Sequence, residues 1–207
     1  LMGAGRTELL ECLMGLRPAA RGSVRLGGAE LMGRRIAQRI GRGLVLIPED
    51  RQREGLVQTL SVGSNMTLAS LPSFTSGFLL SSRRERAGVR KIISDLAIKV
   101  FSPSQLITAL SGGNQQKVVI GKSLIQEPRL IIFDEPTRGV DVGAIAEIHQ
   151  LINRLADQGL AVVVISSYLP EIMNLSDRIL VCRQGRIVEE FSPTDATEEK
   201  IMYAAVH

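Results

Sequence analysis

A chain of 207 residues, with 25 Lys and Arg against 21 Asp and Glu and a formal charge of +4, can bury roughly 70% of its unfolded surface around one core without covalent staples. Cys12 and Cys182 have neither disulfide-framework nor metal-ligand spacing, which points to a reducing compartment rather than secretion. The longest apolar run, residues 160–165, is too short to cross a bilayer, nothing at the start reads as a signal peptide, and with aromatics at 3% the basic stretch Arg83-Arg84-Glu85-Arg86 reads as a solvated helix face rather than a nucleic-acid surface.

In chain order, Gly3-Ala4-Gly5-Arg6-Thr7 is a glycine turn opening an amphipathic helix. It resembles the back end of a phosphate-binding loop, G-x-x-x-x-G-K-[ST], with Arg6 where lysine belongs and Thr7 as the hydroxyl for Mg²⁺. No strand precedes it to hold it, so strands upstream of Leu1 are expected to be missing. Residues 22–26 read as a short strand ended by a Gly27-Gly28 turn, residues 31–39 as a short helix, and residues 43–47 as a buried strand stopped by Pro48. The charged loop Glu49-Asp50-Arg51-Gln52-Arg53-Glu54-Gly55 follows, at the carboxyl end of that strand, where α/β sheets hold ligands.

From residue 61 to about 123 the pattern is helical: residues 62–71, a polar connection 72–82, and a helix 83–98 with Val89, Ile92, Ile93, Leu96 and Ile98 as its apolar stripe. This reads as a lobe inserted between strands, able to move as a unit. It ends in Leu110-Ser-Gly-Gly-Asn-Gln-Gln-Lys117, which sets a hydroxyl and two glycines ahead of a helical pattern at residues 117–124. Uncovered amides at a helix start favour an anionic group such as phosphate. Residues 130–133 then form a buried parallel strand with Asp134 and Glu135 at its carboxyl end, the arrangement that holds Mg²⁺ and an attacking water in nucleotide hydrolysis. A helix at residues 143–158, a buried strand at 161–165, a short helix at 169–175, a hairpin 179–182 and 186–190 around Gln184-Gly185, and a helix 198–206 complete the chain. His149 and His207 read as surface or tail residues.

Leu110-Ser-Gly-Gly-Asn-Gln-Gln-Lys117 resembles the signature of ABC-type ATPases, Leu130-Ile-Ile-Phe-Asp-Glu-Pro-Thr137 their Walker B strand, and Gly139-Val140-Asp141 their D-loop. More narrowly, Gly3-Ala-Gly-Arg-Thr-Glu8, Pro48-Glu-Asp-Arg51 and Asp134-Glu-Pro-Thr-Arg-Gly-Val-Asp141 resemble the second ATP-binding half of tandem bacterial importers for ribose, xylose and galactose. The resemblance implies an α/β P-loop NTPase fold with a RecA-like core (residues 1–60 and 124–207) and a helical signature subdomain (residues 61–123). It implies ATP and Mg²⁺ as cofactors. Gly3, Ala4, Gly5, Arg6 and Thr7 would face ATP in cis with Asp134 and Glu135, with Thr7, Asp134 and Glu49 near the metal and Ser167 at the position of the switch histidine. Ser111, Gly112, Gly113 and Gln115 would face the nucleotide of a partner ATP-binding domain, the other half of the same full-length chain, and Asp141 would touch that domain. Membrane permease subunits, and through them a periplasmic sugar-binding protein, are the further partners implied, at the cytoplasmic face of the bacterial inner membrane.

Three residues depart from the family's pattern: Arg6 for the Walker A lysine, Glu49 for the Q-loop glutamine and Ser167 for the switch histidine. Losing a compact ammonium and an imidazole weakens charge stabilisation in the transition state more than nucleotide binding. The expectation is a domain that completes a partner's site and hydrolyses poorly in its own, with little ATPase activity when measured alone. A symmetric hydrolase, a non-transport ATPase acting on nucleic acid or ribosomes, and a purely structural half remain as alternatives at this stage.

Overall fold

The computed structural model describes residues 4–19, 21–76 and 79–207. Helix α1 (Arg6–Met14) opens on Gly5 at φ 85°, a left-handed conformation that glycine adopts without steric penalty. The strand expected at residues 22–26 is only β1 (Arg25–Leu26), paired with β2 (Ala29–Glu30), because the Glu30 carboxylate takes the amides of Val24, Leu31 and Met32. The same competition delays the next helix, expected from residue 31, to α2 (Ile36–Ile40). Strand β3 (Leu44–Ile47) leads into a π-helical turn, Arg51–Gly55, where a charged loop was expected. Asp50 Oδ1 accepts from the amides of Gln52 and Arg53 and so caps that turn.

Helix α3 (Val62–Thr67) passes into a tighter turn, Leu68–Phe74, where Ser70 leaves helical geometry and Pro72 offers no amide, so the expected helix to residue 71 ends early. Strands β4 (Thr75–Ser76) and β5 (Leu79–Leu80) pair within the expected polar connection. Helix α4 (Ser82–Asp95) stops short of residue 98, with Ala97 at φ 48°, yet Leu96 and Ile98 stay buried as the stripe requires. Helix α5 (Gly112–Leu124) begins five residues before the pattern from Lys117, so both glycines lie inside its first turn rather than ahead of it.

Strand β6 (Leu130–Asp134), α6 (Val142–Asp157), β7 (Ala161–Ile165) and α7 (Leu169–Leu175) follow. The hairpin β8 (Ile179–Arg183) and β9 (Arg186–Phe191) and helix α8 (Glu198–Val206) end the chain. Strands β3, β6 and β7 form a parallel sheet in that order, with Ile131, Ile132 and Phe133 of the middle strand fully buried. Strand β7, expected to be buried, pairs on one side only among the described residues and leaves Val163 42% exposed. The parallel direction brings Pro48, Asp134–Glu135 and Ser166–Ser167 to one carboxyl-terminal edge.

One hydrophobic cluster runs from the lobe into the sheet, joining Val62, Met66, Val89 and Ile107 to Val118 and Ile120 of α5 and on to Ile131, Phe133 and Ile148. Helix α5 is thus shared by lobe and sheet. The signature at its start is fixed relative to the carboxylates at the end of β6 by packing, not by the loop alone. His149, read from sequence as a surface residue, instead packs its ring against α7: Nε2 lies 2.9 Å from Oε1 of Glu171, which is completely buried.

Candidate active site

Glu135 sits where β6 ends, at φ 45°, with its amide donating to the Ile165 carbonyl at 2.8 Å. A non-glycine residue in the left-handed region is uncommon and marks a constrained position. Here the constraint aims the carboxylate at two side chains. Ser167 Oγ donates to Oε2 at 3.1 Å, and Arg6 Nη1 stands 3.7 Å from Oε1 while donating to the Ser166 carbonyl at 3.1 Å. The residues occupying two of the three atypical positions therefore both converge on Glu135.

Asp134, adjacent, is half-buried, and burial followed by the Glu135 charge pushes its carboxyl above the ordinary aspartate range, with Arg6 pulling it back. Two adjacent carboxylates suit a dication: Mg²⁺ is held by one or two carboxylates together with phosphate oxygens rather than by an all-protein cage. Thr7, in the first turn of α1, is exposed. The glycine turn before α1 is pinned by the β8–β9 hairpin: Gly185 N donates to the Ala4 carbonyl at 2.9 Å, and a Cβ on Gly5 would lie 2.6 Å from Gly185 Cα. Gly3 lies outside the described residues.

Ser111, Gly112, Gly113 and Asp141 form a second group. Asn114 Nδ2 donates to Ser111 Oγ at 2.9 Å while its Oδ1 accepts from the Lys99 amide at 2.8 Å, so the serine hydroxyl is held at the start of α5. Ser111, Gly113 and Asp141, with Lys99, line an open cleft of about 320 Å³. The glycines also answer to packing: a Cβ on Gly113 would fall 2.5 Å from Ala144 Cβ, and one on Gly112 would fall 2.8 Å from the Gly139 carbonyl.

Two expected contacts sit differently. Glu49 pairs its carboxylate with the Arg138 guanidinium, so its negative charge is spent within the protein rather than left open to a metal. Gln115 is turned inward, 5% exposed, with Nε2 donating to the Ile107 carbonyl at 3.2 Å. That holds it inside the lobe, away from the cleft. Arg51 was missed by sequence reading as a site residue: its guanidinium is buried and binds the carbonyls of Arg138 and Gly139. The signal in the sequence was a run of charge directly after a buried strand, which does not say which charge turns inward.

The profile of the ABC transporter family matches residues 2–138. Over its whole length the chain is 44% identical to the xylose import ATP-binding protein XylG of Escherichia coli (strain K12) and to that of Yersinia pseudotuberculosis serotype I (strain IP32953), and it spans 40% and 41% of the length of those relatives. Among solved structures it superposes on MJ1267, an ATP-binding cassette of an ABC transporter, with a TM-score of 0.83 at 20% identity, covering 99% of this chain and 84% of that one. On the dimeric, post-hydrolysis cassette MJ0796 bound to ADP and Pi it superposes with a TM-score of 0.77 at 21% identity, covering 93% and 82%. At that identity the likeness shows the fold, that of P-loop ATPase cassettes.

Proposed function

Because the chain belongs to the ABC transporter family, we propose that it is one ATP-binding half of a bacterial sugar importer's motor, whose residues 111–113 complete the ATP site of a facing domain while its own site binds MgATP and turns it over slowly. The relatives named as xylose import ATP-binding proteins support sugar import. Their greater length leaves room for the facing domain in the same chain. On this reading the domain is peripheral to the cytoplasmic face of the inner membrane, docked on permease subunits that take sugar from a periplasmic binding protein.

In its own site Ala4, Gly5, Arg6 and Thr7 would surround the phosphates and Thr7 and Asp134 would hold Mg²⁺. Bound MgATP supplies the terminal phosphoryl group that passes to water. Glu135 would orient or deprotonate that water. The observation that carries the reading is the state of this carboxylate: Arg6 and Ser167 both hold it. A carboxylate whose Oε2 accepts from Ser167 and whose Oε1 faces Arg6 is less free to turn toward water. A guanidinium committed to the Ser166 carbonyl is likewise unlike the compact ammonium that follows a moving phosphoryl group. At the start of α5 the Ser111 hydroxyl accepts from Asn114 Nδ2, which leaves its own proton free to be donated.

The test compares Ser111→Arg with Glu135→Gln in the full-length protein assembled with its membrane partners. Ser111→Arg should abolish most ATP hydrolysis and sugar uptake, and Glu135→Gln should leave the larger part of both. Equal, near-complete loss in both variants would replace this reading with a symmetric hydrolase.

A further inference from the structure

Arg51 is 9% exposed, and among the described residues it forms no ion pair with a carboxylate. Nη1 donates to the Arg138 carbonyl and Nη2 to the Gly139 carbonyl, each at 2.7 Å, while the buried Nε has no partner among the described residues. Burial pulls the guanidinium below its ordinary value, against the opposing pull of Asp50 and Asp141. The same Nη2 would lie 2.7 Å from a Cβ on Gly112. Three segments therefore meet at one planar group: the turn after β3, the segment joining β6 to α6, and the first turn of α5.

The turn that carries Arg51 is fastened elsewhere too. Lys122 of α5 donates Nζ to the Gly55 carbonyl at 3.0 Å, and a Cβ on Gly55 would lie 3.1 Å from Val119 Cγ2. Glu49, just before the turn, pairs with the side chain of Arg138, the residue whose carbonyl Arg51 holds. The turn is thus strapped to α5 at its far end and to residues 138–139 at its near end. Displacing it would move both.

We propose that Arg51 is a positioning residue: its fork fixes residues 138–139 against Gly112, so that the edge offered to the partner's nucleotide and the segment leading from Glu135 to Asp141 keep one arrangement and follow the turn after β3. This rests on the reading that residues 111–113 face a partner's nucleotide. Arginine is required because two carbonyls are held at once, and a lysine ammonium on a single flexible stem reaches one of them without fixing the plane.

The test uses Arg51→Lys and Arg51→Met in the full-length protein with its partners, reading kcat and KM for ATP together with amide hydrogen exchange over residues 137–141 and 112–115. Because misplacing a reacting group by about an ångström can cost on the order of a hundredfold, kcat should fall roughly tenfold or more in both variants. KM should stay within about twofold, since ground-state binding is untouched. Exchange in residues 137–141 should quicken in both, with lysine failing to rescue. If neither variant folds, Gly112→Ala carries the test, because its Cβ presses the same contact from the other side and should give the same selective loss of kcat. Normal kcat and normal exchange in Arg51→Lys overturn the proposal, as does a rise in KM with kcat unchanged. Ser111→Arg separates the two levels: full hydrolysis there removes the underlying reading, whereas its loss beside unaffected Arg51 variants removes this proposal alone.

Discussion

Ser167 donates its hydroxyl to Oε2 of Glu135 at 3.1 Å, on the carboxylate oxygen opposite the one that faces Arg6. Histidine at 167 would place an imidazole where a short hydroxyl now reaches back to the carboxylate, and lysine at 6 would remove the planar fork. One oriented electrostatic contact is worth about 10²- to 10³-fold in rate. In a Ser111→Arg background, which on the proposed function silences the site completed in trans, Arg6→Lys combined with Ser167→His should raise the residual hydrolysis roughly tenfold or more. Steady-state phosphate release measures it, and no gain would mean that Arg6 and Ser167 are not what slows this site.

His149 and Glu171 make a second pairing that reaches from α6 to α7. Glu171 is fully buried, its Oε1 is 2.9 Å from His149 Nε2, and its Oε2 has no partner among the described residues. Removing the only partner of a buried carboxylate is costly, whereas replacing the carboxylate by an apolar side chain of similar size is often nearly neutral. His149→Ala should destabilise the fold by about 3 kcal/mol and Glu171→Met by much less. Urea unfolding of the pair of variants checks this; equal losses would show that the carboxylate itself, not its pairing, stabilises the α6–α7 contact.

Acid should act through Glu147. Lys117 Nζ, on a side chain only 6% exposed, donates to Glu147 Oε2 at 2.7 Å, and that bond, with the Lys117 charge, lowers the Glu147 carboxyl below its ordinary value of 4.5. A carboxyl depressed on folding binds fewer protons folded than unfolded. Its contribution is complete above pH 4.5 and is lost as pH falls through the folded-state value. Glu147→Gln should therefore be less stable than the parent at neutral pH, with the gap closing below pH 4.5. Thermal unfolding from neutral pH down to pH 3 measures it, and a gap independent of pH would remove the linkage.

Much of the fold was legible in the sequence. The bounds of α7 and α8, the apolar runs of β3 and β6 and the acidic pair after β6 follow from periodicity and turn chemistry, which act over a few residues. The start of α5 was not, because Gly112 and Gly113 are poor helix formers and become helical only where Gly139, Arg51 and Ala144 leave no room for a side chain. The inward turn of Gln115, Gln116 and Lys117 was hidden for a related reason: polar residues carry no sign of which helix face they occupy. Arg51 grips a backbone 87 residues away, and the clasp of Arg6 and Ser167 on Glu135 joins three separate strand ends and loops. Motif spacing named Arg6, Ser167 and Glu135 individually but held no information about their convergence.

The most direct test of the claim that the two sites of the motor are unequal is a rapid-quench burst with the full-length protein saturated with MgATP. If the partner's site, completed by residues 111–113, turns over fast and the site of Glu135 slowly, roughly half of the bound ATP should be cleaved in the burst. A burst approaching all of the bound ATP would contradict the assignment and return Glu135 to the role of a full catalytic base.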